Sequence, residues 1–186
     1  MTDPVREYLK SIEAALSHGL ATEHTHRPAL KSLIDTLGFD QRITAINEPK
    51  RYSENAPDFV VARGLVPLGY VEAKDVGIDL DRTERSEQLK RYFAALSNLV
   101  LTDYLSFRWY VSGELRLRVD LGRPDARGRI RWSETAASEL RQLIAQFFAE
   151  EGVGLISSPR ELATRMAGLA RLFRELIRDV FSREGA

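Results

Sequence analysis

The chain has 186 residues, enough for one domain with a core of its own and an appended helical piece. Hydrophobic residues make up 44% and charged residues 29%, which argues against disorder, and 27 Lys plus Arg against 27 Asp plus Glu give a net charge of zero. That balance excludes a purely electrostatic nucleic-acid binder, and the absence of Cys excludes disulfide scaffolds, thiolate zinc sites and Cys nucleophiles. No apolar run reaches the roughly 18 residues of a membrane span and Met1-Thr2-Asp3-Pro4 opens no signal peptide, so the expectation is a soluble, cytoplasmic protein without a membrane partner. Charge is nevertheless uneven: residues 104–131 carry seven cations, all Arg, against three acids, for a net +4.

Residues 4–18 space Val5, Leu9, Ile12 and Leu16 three or four apart, which predicts an amphipathic helix stopped by Gly19. A second helix is predicted from Thr25 to Leu37, with Leu30, Leu33, Ile34 and Leu37 on one face. The period then changes. Arg42–Ile46 alternates, and Asp58–Ala62 and Leu68–Ala73 are short strand-like runs bounded by turn residues. Arg82–Leu96 is helical again, with Leu89, Tyr92, Phe93 and Leu96 facing inward. Asn98–Thr102 and Ser106–Ser112 read as strands, and Ser112-Gly113 turns into the alternating run Glu114–Leu121. Arg123–Arg131 reads as a loop, followed by a helix over Ser133–Glu150. A last helix opens with a capping box at Ser158–Glu161 and carries Leu162, Met166, Leu169, Phe173, Leu176 and Val180 as a heptad seam. This order predicts an α/β (α+β) fold: a mixed sheet of four to five strands with helices on both faces. The expected division is a core over residues 1–131 and a helical extension or coupler over 132–186.

The residues that carry chemistry lie between 54 and 92. Pro57-Asp58 opens one strand, and Glu72-Ala73-Lys74 ends the next. Residues two apart on a strand share a face, so Glu72 and Lys74 point the same way. If the two strands pair, two carboxylates converge with one ammonium beside them. Like charges so close are costly unless a cation sits between them, and a hard divalent ion on oxygen ligands resolves the conflict. That geometry suits metal-assisted hydrolysis of a phosphodiester.

The run Pro57-Asp58…Glu72-Ala73-Lys74 resembles the signature of the PD-(D/E)xK nuclease superfamily. Gln88-Leu89-Lys90-Arg91-Tyr92 is similar to the Q-x-x-x-Y element of one large branch of it. Ala21–Leu30, Tyr70–Asp75, Ser86–Tyr92 and Asn98–Tyr104 further resemble the N-terminal nuclease domain of single-chain (type IIG and ISP-like) restriction–modification enzymes. The resemblance implies a restriction-endonuclease-like core that cuts double-stranded DNA with Mg²⁺, for which Mn²⁺ substitutes. By it Asp58, Glu72 and the Ala73 carbonyl would hold the metal, and Lys74 would be the catalytic lysine. Glu23 would be the acidic residue that the first core helix contributes, and Gln88 and Tyr92 would support the site and contact the phosphate backbone. It also implies a methyltransferase or specificity domain as partner, in a longer chain or a complex, and a transient dimer on DNA. An Asn-Pro-Pro-Tyr methylase motif does not occur in the sequence, so the expectation is a nuclease domain cut from a longer enzyme or a stand-alone relative.

A plainer reading stands beside each residue. Asp58 can be a turn residue after Pro57, Glu72 and Lys74 an ordinary strand ion pair, Glu23 a first-turn acid favoured by the helix dipole, and Tyr92 part of the core. His24 and His26, two apart on a helix, do not share a face and make no zinc site. The Arg-rich stretch interleaves with Trp109, Tyr110 and Trp132, which makes Arg116 and Arg118 candidate phosphate contacts beside the reading of a solvated face. The function expected is a metal-dependent DNA endonuclease domain serving restriction. Its rivals are a repair, recombination or methyl-directed nuclease on the same fold, and a catalytically silent module that binds DNA or couples domains.

Overall fold

The computed structural model describes residues 3–17, 19, 21–47, 57–150, 163, 166, 167 and 170. In chain order the helices are α1 (Pro4–Ser17), α2 (Glu23–Gly38), α3 (Leu80–Glu84), α4 (Glu87–Ala95) and α5 (Glu134–Ala149). The strands are β1 (Ile43–Asn47), β2 (Phe59–Arg63), β3 (Val66–Ala73), β4 (Asn98–Thr102), β5 (Ser106–Val111) and β6 (Glu114–Asp120). They form one mixed sheet in the order β1-β2-β3-β4-β5-β6. Every neighbouring pair is antiparallel except β3–β4, the parallel step that α3 and α4 bridge. The α+β architecture is as expected, with six strands rather than four to five, because every alternating run of the sequence joins the same sheet.

Alternation along the strands sorts side chains onto two faces. Phe59, Val61, Val71, Ala73, Val100, Phe107, Trp109 and Val119 share one apolar cluster with residues of α1, α2 and α5. Leu99, Leu101 and Tyr110, with Tyr70 against them, pack on the other face with Leu80, Leu89, Tyr92 and Leu96. Each fully buried large apolar side chain contributes about 1.5–3 kcal/mol, so the first cluster dominates stability. Its helix α5 sits close: a Cβ on Gly69 of β3 would lie 2.5 Å from the Phe147 ring. Asn98, 1% exposed, fastens that contact. Its Nδ2 donates to the Leu68 and Phe147 carbonyls at 2.8 and 3.0 Å, and its Oδ1 accepts the Trp109 indole N–H at 2.7 Å.

Two helices differ from expectation for identifiable reasons. α2 starts at Glu23 rather than Thr25, because the Glu23 N–H donates to Asp75 Oδ1 (2.7 Å) and the Thr22 N–H to Thr25 Oγ1 (3.1 Å). The single helix expected over Arg82–Leu96 is two. Asp79 Oδ1 accepts the Arg82 N–H at 3.1 Å and Ser86 Oγ the Leu89 N–H at 3.3 Å, so each piece carries its own N-cap. The capping box at Ser158–Glu161 and most of the heptad seam lie outside the described residues. Among the described residues no helix is long and apolar enough to cross a membrane.

Candidate active site

The β2–β3 register pairs Phe59 with Val71 and so sets Asp58 beside the end of β3. Asp58 Oδ2 accepts the Ala73 N–H at 2.8 Å. Beyond β3 the Lys74 N–H still reaches the Thr102 carbonyl of β4 at 2.8 Å, which fixes its backbone. Val71 and Ala73 turn into the main core, while Glu72 and Lys74 turn the other way and meet, with Lys74 Nζ 2.6 Å from Glu72 Oε1. The cluster is largely enclosed: the side chains of Glu72, Asp58 and Lys74 are 3%, 13% and 24% exposed. From α4, Gln88 Oε1 accepts a second bond from Lys74 Nζ at 3.3 Å, and Gln88 Nε2 donates to the Tyr92 hydroxyl at 3.2 Å.

Glu23 reaches the cluster through a residue the sequence reading did not single out. Arg27, one turn further along α2, donates from Nη2 to Glu23 Oε1 at 2.6 Å and also to Asp58 Oδ1. Its side chain is 7% exposed. The signal was the i,i+4 spacing of Glu23 and Arg27, which on a helix makes a pair. The start of α2 is further held by Tyr104, whose hydroxyl donates to the Glu23 carbonyl at 2.7 Å. Tyr104 adopts φ +71°, an unusual conformation for a bulky residue, and nothing in its side-chain chemistry announces it in sequence.

The electrostatics are those of a site short of positive charge. Burial, with the Asp58 charge adding, pushes the Glu72 carboxyl up to about 7. Burial raises Asp58 as well, against the Ala73 N–H and Arg27, which favour its charged form. Glu72 Oε2 is buried with no hydrogen-bond partner. An orphaned carboxylate oxygen beside a second carboxylate fits a hard divalent cation, which takes oxygen ligands and would relieve both strains. Asp58 and Glu72 could hold such an ion, with the carbonyl of Ala73 between Glu72 and Lys74 in sequence. Among the described residues no three His, Asp or Glu side chains form a metal cage by themselves. The fit therefore rests on two carboxylates and a backbone oxygen.

The structure does not bring every expected residue to this point. Tyr92 is 1% exposed in the smaller core, where its hydroxyl accepts from Gln88 and burial together with the Glu72 charge raises its pKa, so it is placed to orient rather than to touch a phosphate. Arg116 and Arg118 lie on β6, ion-paired with Glu114 at 3.2 Å and Asp120 at 3.1 Å. Glu72, Leu101, Arg108 and Arg118 are partners in one cross-strand row, which puts Arg118 three strand spacings, about 14 Å, from Glu72. Arg118 instead lines a cavity of about 640 Å³ with Asp81, Arg108 and Arg123, which none of Asp58, Glu72 and Lys74 borders. His26 is buried against the Tyr104 ring, and burial lowers its pKa.

Neither a protein-family model nor a curated protein sequence matches the chain. Among solved structures it is similar to a chain in the cryo-EM structure of a DrdV–DNA complex, at 23% identity and a TM-score of 0.60 over 78% of this chain. The match spans 13% of that chain's length. At this identity the likeness is one of fold.

Proposed function

We propose that the chain is a metal-dependent DNA endonuclease domain of the PD-(D/E)xK type, the cleavage module of a restriction–modification system. The observation that carries this reading is the meeting of Asp58, Glu72 and Lys74 with a buried, partnerless Glu72 Oε2. Two buried carboxylates and one ammonium at the ends of paired strands are poor material for stability and suitable material for phosphodiester hydrolysis. Double-stranded DNA as substrate is supported by the fold shared with a protein solved in complex with DNA. A methyltransferase or specificity domain, a transient dimer on DNA and a cytoplasmic setting belong to the same reading.

Asp58 and Glu72 would hold Mg²⁺ or Mn²⁺ with the Ala73 carbonyl. Bound there, the ion supplies an activated water and offsets the charge on the leaving oxygen. Lys74 has three donors; Glu72 and Gln88 take two, and the third is left for an anionic substrate oxygen. Gln88, oriented by Tyr92, keeps the ammonium from collapsing wholly onto Glu72. Arg27 holds Asp58 and Glu23 at fixed separation.

The test is cleavage of supercoiled plasmid in Mg²⁺ or Mn²⁺, with EDTA and Lys74→Ala as controls. Nicking or linearisation that needs metal and disappears in Lys74→Ala is expected. Equal cleavage by the variant contradicts the assignment. No cleavage by either protein leaves a silent module or a nuclease that needs the rest of its enzyme, and Mn²⁺ binding at Asp58 and Glu72 separates the two, since the silent module binds none.

A further inference from the structure

Three carboxylates, Glu23, Asp58 and Glu72, leave two places between them for positive charge. The place between Glu23 and Asp58 is filled: one guanidinium nitrogen of Arg27 donates to both, from a side chain only 7% exposed. The place between Asp58 and Glu72 is not. Lys74 stands on Glu72 Oε1, while Glu72 Oε2 faces inward with no partner. Two-metal phosphodiesterases hold ions about 3.5–4 Å apart on both sides of a shared carboxylate, which here would be Asp58.

We infer that Arg27 permanently takes the second cation position, so that this chain binds a single divalent ion, between Asp58 and Glu72. The inference rests on the metal-site reading above. Charge supports it. Arg27 and Lys74 leave the three carboxylates one negative charge in excess; one divalent ion reverses that by a single unit, and a second would leave a threefold positive excess in a largely enclosed site. The guanidinium cannot make room by losing its proton. It leaves only by breaking two charge-assisted bonds and abandoning a buried position, which strands two carboxylates. A fixed cation at that point also gives the site, on the Glu23 side, positive charge that no chelator removes.

Isothermal titration with Mn²⁺, checked by electron paramagnetic resonance of the free ion, reads this directly on the whole chain. One ion per chain is expected for the wild type and for Arg27→Lys. Arg27→Met should bind two, and Arg27→Met with Glu23→Gln should return to one. Circular dichroism melts establish that each variant is folded. Should Arg27→Met fail to fold, Arg27→Gln keeps a donor for Asp58 without the charge and should also bind two. Two ions in the wild type, or one in a folded charge-free variant, would overturn the inference. A wild type that binds none would overturn the metal site itself.

Discussion

On β3, Val71 and Ala73 turn into the apolar core beneath α1, α2 and α5, while Glu72 between them turns to the face that carries α3 and α4. The same contrast runs across the sheet. Val100, Trp109 and Val119 lie on the first face; on the second, Leu101 leads to Arg108, a buried guanidinium held by Asp81 and Glu84. Burial works against the Arg108 charge, and the two carboxylates more than offset it. Glu72 has no such second partner. One period-2 pattern thus serves two ends. At the end of β3, Val71 and Ala73 add to the apolar core that stabilises the fold, while Glu72 and, just beyond the strand, Lys74 are charges whose enclosure that core makes tolerable.

Breaking the apolar face should have the largest effect. Phe59→Ala removes a fully buried ring and is expected to lower unfolding free energy by about 3–5 kcal/mol in urea titration. A loss under a third of that would mean the face repacks. Next is Asn98→Ala, which strands the Trp109 N–H and two buried carbonyls beneath α5. Its expected loss is about 3 kcal/mol, with faster amide exchange near Phe147 as the local sign.

Asp35 is a polar anchor on the apolar side. It accepts from Lys31, Thr44 Oγ1 and the Ala45 N–H, and although burial opposes its charge these bonds hold its carboxyl below the usual range. A depressed carboxyl stabilises the fold above its unfolded pKa, and that contribution is lost as pH falls through the folded value. Asp35→Asn should therefore lose about 1 kcal/mol near neutral pH and nothing in acid below the folded pKa; a pH-independent loss would contradict this. The smallest effect is on the charged side. Ser86→Ala removes the α4 cap, whose bond is long at 3.3 Å, and should lose about 0.5 kcal/mol, and because α4 carries Gln88 it should weaken metal-dependent cleavage as well. Unchanged cleavage would separate α4 from the site.

Much of this was legible in advance because periodicity is local. The six strand-like runs, the two opening helices and α5, and the meeting of Asp58, Glu72 and Lys74 follow from apolar period, alternation and pairing of adjacent strands; that all six runs join one sheet does not. The break at Ser86 was also local, yet a strong apolar period over Arg82–Leu96 outweighed its cap. What escaped was long-range. That Asp75 fixes the start of α2, and that Arg27 reaches Asp58 across 31 residues, depend on packing that spacing does not encode. Arg116 and Arg118 are a separate case: their density in sequence carries no information on distance, and β6 lies three strands from Glu72.

If the paired carboxylates serve a metal, Glu72 is kept for chemistry at the expense of stability. Thermal unfolding of the wild type and Glu72→Gln, each with and without Mn²⁺, tests it most directly. The wild type should melt several degrees higher when Mn²⁺ is in large excess over its Kd, where linkage supplies about 2.7 kcal/mol at a hundredfold excess. Glu72→Gln should melt at or above the metal-free wild type and not respond to Mn²⁺. A variant that melts well below the wild type, or rises with Mn²⁺ as the wild type does, would make Glu72 a structural residue and contradict the account.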